Sequence, residues 1–201
     1  PVRVPSVPIL PLPARDPPPG RRYRMPLRRG AEEAAQRLPT PRAEAAARYS
    51  QEASQIAGKP VTIRCDEAGE YVGAVQHADG VATVGGDLTY LTPERCLDLY
   101  RLAFDGEATG SQTGRALAVL AHEAWHLRGV RNEGVAECYA FQSGVGLGER
   151  LGLSEESARQ LMRQQFAENA GRRGTGAEYL VPSECRDGGA LDLDPQSSRF
   201  P

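Results

Sequence analysis

The sequence LAHEAWHLRGVRNEGVAECYA, residues 120–140, contains two of the three histidines in the chain. His122, Glu123 and His126 form the pattern His-Glu-x-x-His. Residues four apart on an α-helix lie on one face, so the two imidazoles can point at one ion, as a zinc site requires. Glu123 lies about 100° round the same helix, where its carboxylate can act as general base on a water held by the metal.

A third ligand has to come from beyond this helix, and Glu133 is the candidate. On an unbroken helix Glu133 would lie about 10 Å further along the axis than His126, far beyond a metal–oxygen bond of about 2 Å. The helix must therefore end: Gly129 suits a left-handed C-cap, and Asn132 suits the N-cap of a second helix. The sequence predicts a helix, a short turn and a second helix with Glu133 in its first turn.

Glu137 lies one turn after Glu133 on the same face of the second helix. Its carboxylate can hydrogen-bond a ligating imidazole from behind, as acidic residues commonly do around zinc. Glu137 is also the alternative third ligand, and the sequence leaves that choice open.

The order His-Glu-x-x-His and then Asn-Glu-x-x-Ala-Glu within residues 122–137 resembles the gluzincin class of zinc metallopeptidases. Residues 133–140, Glu-x-x-Ala-Glu-x-Tyr-Ala, are also similar to a segment of ImmA/IrrE-type peptidases. The resemblance covers residues 117–142 and implies a zinc-dependent enzyme that hydrolyses a peptide or protein substrate.

The same resemblance implies a role for each residue of the site. Zn²⁺ would be held by the two histidines and Glu133, and Glu123 would be the catalytic base. Metallopeptidases of this class usually place a His, Tyr or Arg near the metal to stabilise the oxyanion. Tyr179 is the first candidate for that donor and Tyr139 the second, and the alternative for each tyrosine is packing in the core.

Two other functions compete with the peptidase. One is a non-catalytic secreted or envelope protein, stapled by disulfides, in which the metal site is structural or has decayed. The other is a regulatory protein whose basic N-terminal segment binds nucleic acid or an acidic surface. A peptide-cleavage assay separates the first from an enzyme, and binding at low salt tests the second.

The N-terminal segment differs from the remainder in composition. Residues 1–30 contain nine of the sixteen prolines and carry seven Arg against one Asp, a charge of +6, which leaves −8 on residues 31–201. We expect residues 1–40 to be a disordered arm, and residues 41–201 to form a zincin-like domain with an irregular tail from 172.

The overall charge of −2 argues against nucleic-acid binding. We expect a monomer, with no membrane span in the chain.

The four cysteines are Cys65, Cys96, Cys138 and Cys185, and none belongs to a C-x-x-C pair. Their even number and wide spacing predict two disulfides and a secreted or cell-envelope location, although we recognise no signal peptide. We favour Cys65 with Cys96 and Cys138 with Cys185, because the second bridge would tie the tail to the helix beside the metal. The alternative is four buried free thiols in a cytosolic protein.

The remaining patterns predict the fold class as α+β and mainly helical, with a small antiparallel sheet packed on the active-site helix and the C-terminal helices. Helices are predicted for 41–58, from Pro93 after the N-cap Thr92, for 114–128, for 133–149 and after the N-cap Ser154. Strands are predicted for 61–65, 71–76 and 81–90, with a turn at Asp79-Gly80. Residues 81–89 are the candidate edge for pairing with an extended peptide. His77, in the turn region, is interpreted as a solvated loop residue.

Overall fold

The computed structural model describes residues 41–73, 78–171 and 176–201, which all lie in one compact unit, Pro39–Pro201. The arm predicted for residues 1–40 and the loop residue His77 lie outside the described residues. Five α-helices are present in the described part: α1 (Pro41–Ala57), α2 (Pro93–Tyr100), α3 (Ser111–Arg128), α4 (Glu133–Arg150) and α5 (Glu155–Ala170). A π-helical turn, Arg101–Asp105, follows α2, and a 3₁₀ turn, Ala177–Tyr179, lies in the tail.

The predicted helices are confirmed, and their starts have the predicted caps. Thr92 accepts a hydrogen bond from the backbone N–H of Arg95, with Pro93 in the first turn of α2. Ser154 accepts one from the backbone N–H of Ser157 at the start of α5. These side chains satisfy donors that a helix N-terminus otherwise leaves unpaired.

The sheet has three strands, β1 (Thr62–Cys65), β2 (Gly80–Ala82) and β3 (Leu88–Leu91), in the order β1-β3-β2. β2 and β3 are antiparallel, but β1 and β3 are parallel. The fold class is therefore confirmed as α+β and mainly helical, while the expected antiparallel sheet is mixed. The predicted edge, residues 81–89, is correct only for β2, because β3 is the central strand.

The strand predicted for 71–76 is wrong where the structure describes it, because residues 71–73 form a turn. The buried carboxylate of Asp66 accepts hydrogen bonds from the backbone N–H groups of Glu70, Tyr71 and Val72, at 3.0, 2.9 and 2.7 Å. Those N–H groups cannot then pair with a neighbouring strand. The turn predicted at Asp79-Gly80 is also wrong, since Gly80 already belongs to β2.

The core is centred on α3, which is buried on almost all sides by α1, α2, α4 and α5. Trp125 lies in the core as predicted, and its indole N–H donates to Ser143. Helices α4 and α5 approach closely at Gly144, where a Cβ would come within 2.3 Å of the sulfur of Met162. This packing holds α4 against α5, while the other side of α4 packs on α3, and the candidate site lies between α3 and α4.

Both predicted disulfides are confirmed. Cys65–Cys96 joins β1 to α2, and Cys138–Cys185 joins α4 to the tail, with Cα–Cα distances of 6.0 and 5.7 Å. Two disulfides are compatible with an extracytoplasmic location. Within the described residues no helix combines the length and the apolarity that spanning a bilayer requires.

Candidate metal centre

The centre is built at the junction of α3 and α4. Helix α3 ends because Gly129 adopts the left-handed conformation, with φ of 116°. The N–H of Gly129 bonds the carbonyl of His126, and the N–H of Val130 bonds that of Trp125, so the last turn of α3 is closed by backbone groups. The next helix has its N-cap at Asn132, four residues after Arg128.

Asn132 starts α4 by accepting a hydrogen bond from the backbone N–H of Val135, at 2.9 Å. Glu133 is therefore the first residue of α4, and its carboxylate turns back towards α3. The helix, turn and helix predicted from Gly129 and Asn132 are confirmed.

Three side-chain atoms converge at this junction. Nε2 of His122 and Nε2 of His126 lie 2.9 Å apart, and each lies 3.1 Å from Oε2 of Glu133. A tetrahedral ion with bonds of about 2.0–2.1 Å holds its ligand atoms about 3.3 Å apart, close to the size of this triangle. His122, His126 and Glu133 thus form a group that could hold a metal ion.

The other ring nitrogen of each histidine faces an acceptor. Nδ1 of His122 lies 3.0 Å from Oε2 of Glu137, and Nδ1 of His126 lies 2.7 Å from the carbonyl oxygen of Val130. The Val130 carbonyl assigns the proton of the neutral His126 ring to Nδ1, and the nearby carboxylate of Glu137 favours the same tautomer in His122. Glu137 therefore lies behind the cluster, touching a histidine rather than joining the triangle.

The assigned tautomers leave the Nε2 lone pairs of His122 and His126 facing each other and the carboxylate of Glu133. Three lone pairs at about 3 Å repel one another unless a proton or a metal cation lies between them. Two imidazoles and a carboxylate are a usual donor set for a transition metal, with each imidazole oriented by a hydrogen bond from its second nitrogen. The residues present fit a bound cation.

The titration of the metal-free cluster reflects the same excess of negative charge. Burial alone would lower the pKa of His122, but the carboxylates of Glu133 and Glu137, with the charge of Glu123 added, raise it to about 10. The hydrogen bond with His122 lowers the pKa of Glu133, and the positive charge of His126 contributes. Without a metal the cluster takes up a proton instead.

Glu123 lies one residue after His122 and is buried. Burial raises the pKa of its carboxyl to about 7, opposed by the charge of His122 and supported by those of Glu133 and Glu137. Gly80 of β2 packs directly on this carboxylate: a Cβ at Gly80 would come within 2.7 Å of Oε1. The glycine therefore leaves room for a carboxylate beside the candidate metal ligands, in a position that a larger residue would fill.

A cavity of about 80 Å³ opens beside Glu123 and is bordered by Tyr179 from the tail. The ring of Tyr179 lies 5.9 Å from that of His122, measured between centroids. Tyr139 packs against Trp125 with 4.6 Å between the ring centroids, and it does not border this cavity. Of the two tyrosines singled out in the sequence, Tyr179 is thus the one at the site.

Asn169 of α5 was missed by the sequence analysis, yet it connects three parts of the site. Its side-chain N–H₂ donates to Oε1 of Glu137, at 3.2 Å, and to the carbonyl of Tyr179, at 2.8 Å. Its side-chain oxygen accepts from the N–H of Val181, at 3.1 Å. The available signal was an asparagine continuing the apolar face of α5, seven residues after Met162.

The tail lies against the start of α4. The carbonyl oxygen of Leu180 would lie 2.4 Å from a Cβ placed on Gly134, so only glycine permits this approach.

Comparison with protein-family models, with curated proteins and with solved structures finds no match for this chain. The functional assignment therefore depends on the site itself.

Proposed function

We propose that this protein is a zinc-dependent metallopeptidase that hydrolyses peptide bonds in a peptide or protein substrate. The observation that carries the proposal is the convergence of three lone-pair donors, Nε2 of His122, Nε2 of His126 and Oε2 of Glu133, within 3.1 Å of one another. His₂Glu is a donor set found in catalytic zinc sites, where it leaves a fourth position open.

Zinc bound by these residues would supply a Lewis acid and would bring the pKa of a coordinated water towards neutrality. Glu137 and the Val130 carbonyl hold the rings of His122 and His126 so that their Nε2 lone pairs point inward. Glu133 adds the negative charge that favours a divalent cation over a proton. These roles follow from the contacts of the side chains.

Glu123 is the proposed general base. Its carboxylate accepts a proton from the attacking water and returns it to the leaving amine nitrogen. A base works best when its pKa lies near the operating pH, and burial among carboxylates provides that condition. Zinc would add positive charge nearby and so would lower the pKa of Glu123, whereas Glu133 and Glu137 raise it.

Tyr179 is the proposed donor to the oxyanion that forms on the substrate carbonyl. Burial raises the pKa of its hydroxyl, and the charges of Glu133, Glu178 and Glu123 raise it further, so the phenol keeps its proton. A neutral phenol beside the ligand cluster can donate to a developing negative charge. The edge strand β2, which touches Glu123 through Gly80, is the proposed pairing edge for an extended substrate.

The proposed location is outside the cytosol, as a secreted or cell-envelope protein, because both disulfides need an oxidising compartment to form and persist. In that setting the Cys138–Cys185 bridge would keep the Tyr179 segment attached to α4. The location is tested by the redox state of the four cysteines in protein isolated from its own cell fraction.

The function is tested with three proteins, the parent, Glu123→Gln and His126→Ala. Elemental analysis should find one zinc per chain in the parent and in Glu123→Gln, and much less in His126→Ala. A mixed peptide library with a chelator control should show cleavage by the parent, with turnover about 10²–10⁴-fold lower in Glu123→Gln. Equal cleavage by Glu123→Gln would refute the mechanism. Zinc without any cleavage would instead favour the non-catalytic envelope protein with a structural metal.

A further inference from the structure

A second cavity, of about 510 Å³, lies between α1, the end of α3, α4, α5 and the tail. It shares no lining residue with the cavity at the metal cluster. Pockets of about 300–1,000 Å³ are the usual size of small-molecule sites. Its charged lining includes four arginines: Arg128, Arg150, Arg159 and Arg199.

Three of these arginines share carboxylates with other guanidinium groups. Glu52 is paired with Arg150 and also with Arg48, the latter at 3.2 Å. Oε1 of Glu155 pairs with both Arg159 and Arg199. Each glutamate therefore neutralises only one of the two cations that it contacts.

The carboxylates that line the cavity itself are those of Asp192 and Asp194. Asp192 accepts the backbone N–H groups of Gly188 and Asp194, at 2.8 and 3.0 Å, so its two oxygens are engaged within the tail. Glu52, Glu155 and Asp192 are thus already engaged by arginines or by backbone N–H groups.

Arg128, the fourth arginine of the lining, is exposed. Its Nη1 donates to the carbonyl of Ile56, at 2.9 Å, and its guanidinium lies 5.0 Å from the ring centroid of Trp125. In the described residues no carboxylate pairs with it. Nε of Arg159, in contrast, is buried and donates to no acceptor in the same part of the chain. A buried donor of this kind favours an acceptor from a ligand.

We propose that this cavity binds a small molecule with one carboxylate and an apolar body. The carboxylate accepts hydrogen bonds from the buried Nε of Arg159 and from Arg128, which pairs with no carboxylate among the described residues. The apolar body contacts Val145, Leu193 and Phe200, which also line the cavity. The site is separate from the metal cluster, so it does not depend on the proposed peptidase activity.

Trp125 reports on this cavity directly, because it lines the cavity and is the only tryptophan in the chain. The probe is N-acetyl-leucine, added to the full chain at constant ionic strength and followed by tryptophan fluorescence and calorimetry. N-acetyl-leucinamide is the matched uncharged probe, and inorganic phosphate is the anion without an apolar body. We expect saturable binding of N-acetyl-leucine, at least about tenfold tighter than that of the amide.

Variants locate the binding. Arg128→Gln and Arg159→Gln should each weaken N-acetyl-leucine binding by about tenfold, because each removes a charged donor. Arg163→Gln is the control: Arg163 is exposed on α5, one turn after Arg159, and lies outside the lining. Since Arg128 touches Trp125, its variant is measured by calorimetry after thermal unfolding has shown that it is folded. If it is not folded, Arg159→Gln alone decides.

Four results would each overturn the proposal. They are the absence of saturable binding, equal affinity for the amide, equal affinity for phosphate, and an equal loss in Arg163→Gln. Without saturable binding there is no site. Equal affinity for the amide would show that the carboxylate is not recognised, and equal affinity for phosphate would show that the apolar body is not. An equal loss in Arg163→Gln would show that only the overall charge of the protein matters. Repeating the titration after chelation should give the same affinity, and a loss on chelation would contradict the separation of the two sites.

Discussion

Helix α3 carries two clusters of charged side chains, one near its start and one near its end, and they differ in charge balance. Near the start, Arg115 pairs with Asp79, which lies 3.8 Å from Arg95, and Arg95 pairs with Asp98 at 3.3 Å. Two arginines meet two aspartates, so the described part of this cluster is neutral. It connects the residue before β2 to α2 and α3.

Near the end of α3, Glu123, Glu133 and Glu137 surround two imidazoles. With both rings neutral these side chains bring three negative charges to the cluster, and no arginine or lysine among the described residues pairs with Glu123 or Glu133. A balanced cluster is satisfied by the fold alone and serves to join elements. An unbalanced, buried one requires a proton or a metal ion from solution, which makes it the candidate for function.

The strongest test of this difference compares two variants, His126→Ala in the unbalanced cluster and Arg115→Gln in the balanced one. Structural zinc sites are stabilised by about 10–16 kcal/mol over four ligands, so losing the His126 ligand should weaken binding on the order of 10²–10³-fold. Arg115→Gln should leave zinc affinity unchanged. It should lower the free energy of unfolding by no more than about 1 kcal/mol, since its ion pair is partly exposed. Competition with a chromophoric chelator measures both affinities.

A second test compares the two disulfides. Cys65→Ala/Cys96→Ala opens a loop of 31 residues and should lower the free energy of unfolding by about 3 kcal/mol, without changing zinc affinity. Cys138→Ala/Cys185→Ala should lower the free energy of unfolding by a similar amount and should also weaken zinc binding. The reason is that the tail residue Tyr179 accepts a hydrogen bond from Asn169, which also donates to Glu137 behind His122. Urea unfolding of the metal-free proteins measures the free energy of unfolding. Equal zinc affinities in the two variants would show that the tail does not support the site.

Asn169 provides a smaller and more local test. Asn169→Ala removes the hydrogen bond that holds Glu137 behind His122, and partners of this kind typically change metal affinity about 10–100-fold. We expect the lower end, about tenfold, since Glu137 itself remains. Gln165→Ala is the control, because Gln165 borders the same cavity from the same helix but donates to Glu168. An unchanged affinity in Asn169→Ala would show that Asn169 holds the tail and does not support the metal site.

The sequence predicted those parts of the site that are built from neighbouring residues. Gly129 and Asn132 are local signals, so the turn that brings Glu133 back to His126 could be inferred without a structure. The parallel pairing of β1 with β3 could not, because it depends on which strands meet across the fold. Asn169 was missed for the same reason: its partner Glu137 is 32 residues away. Contacts distant in sequence leave little trace in one chain.

The side chain of Asp66 illustrates how a residue can override a pattern. The β-rich composition of 71–76 predicted a strand, but the Asp66 carboxylate binds three N–H groups of residues 70–72 and bends the chain there. Asp66 and Glu123 are both buried carboxylates without an arginine or lysine partner among the described residues, and their pKa values move in opposite directions. Backbone donors stabilise the charged form of Asp66, whereas burial and the charges of Glu133 and Glu137 raise the pKa of Glu123 against the charge of His122.

This contrast gives the smallest expected effect, a pH dependence. Burial alone would raise the pKa of Asp66, but the N–H groups of Val72, Tyr71 and Glu70 lower it overall. A lowered folded pKa contributes stability above the unfolded value of about 3.9, and that contribution is lost as the pH falls through the folded pKa. The difference in unfolding free energy between the parent and Asp66→Asn should therefore be constant above about pH 5 and shrink below about pH 4. Urea unfolding of the metal-free proteins measures it, and a difference that grew on acidification would reverse the sign of the Asp66 contribution.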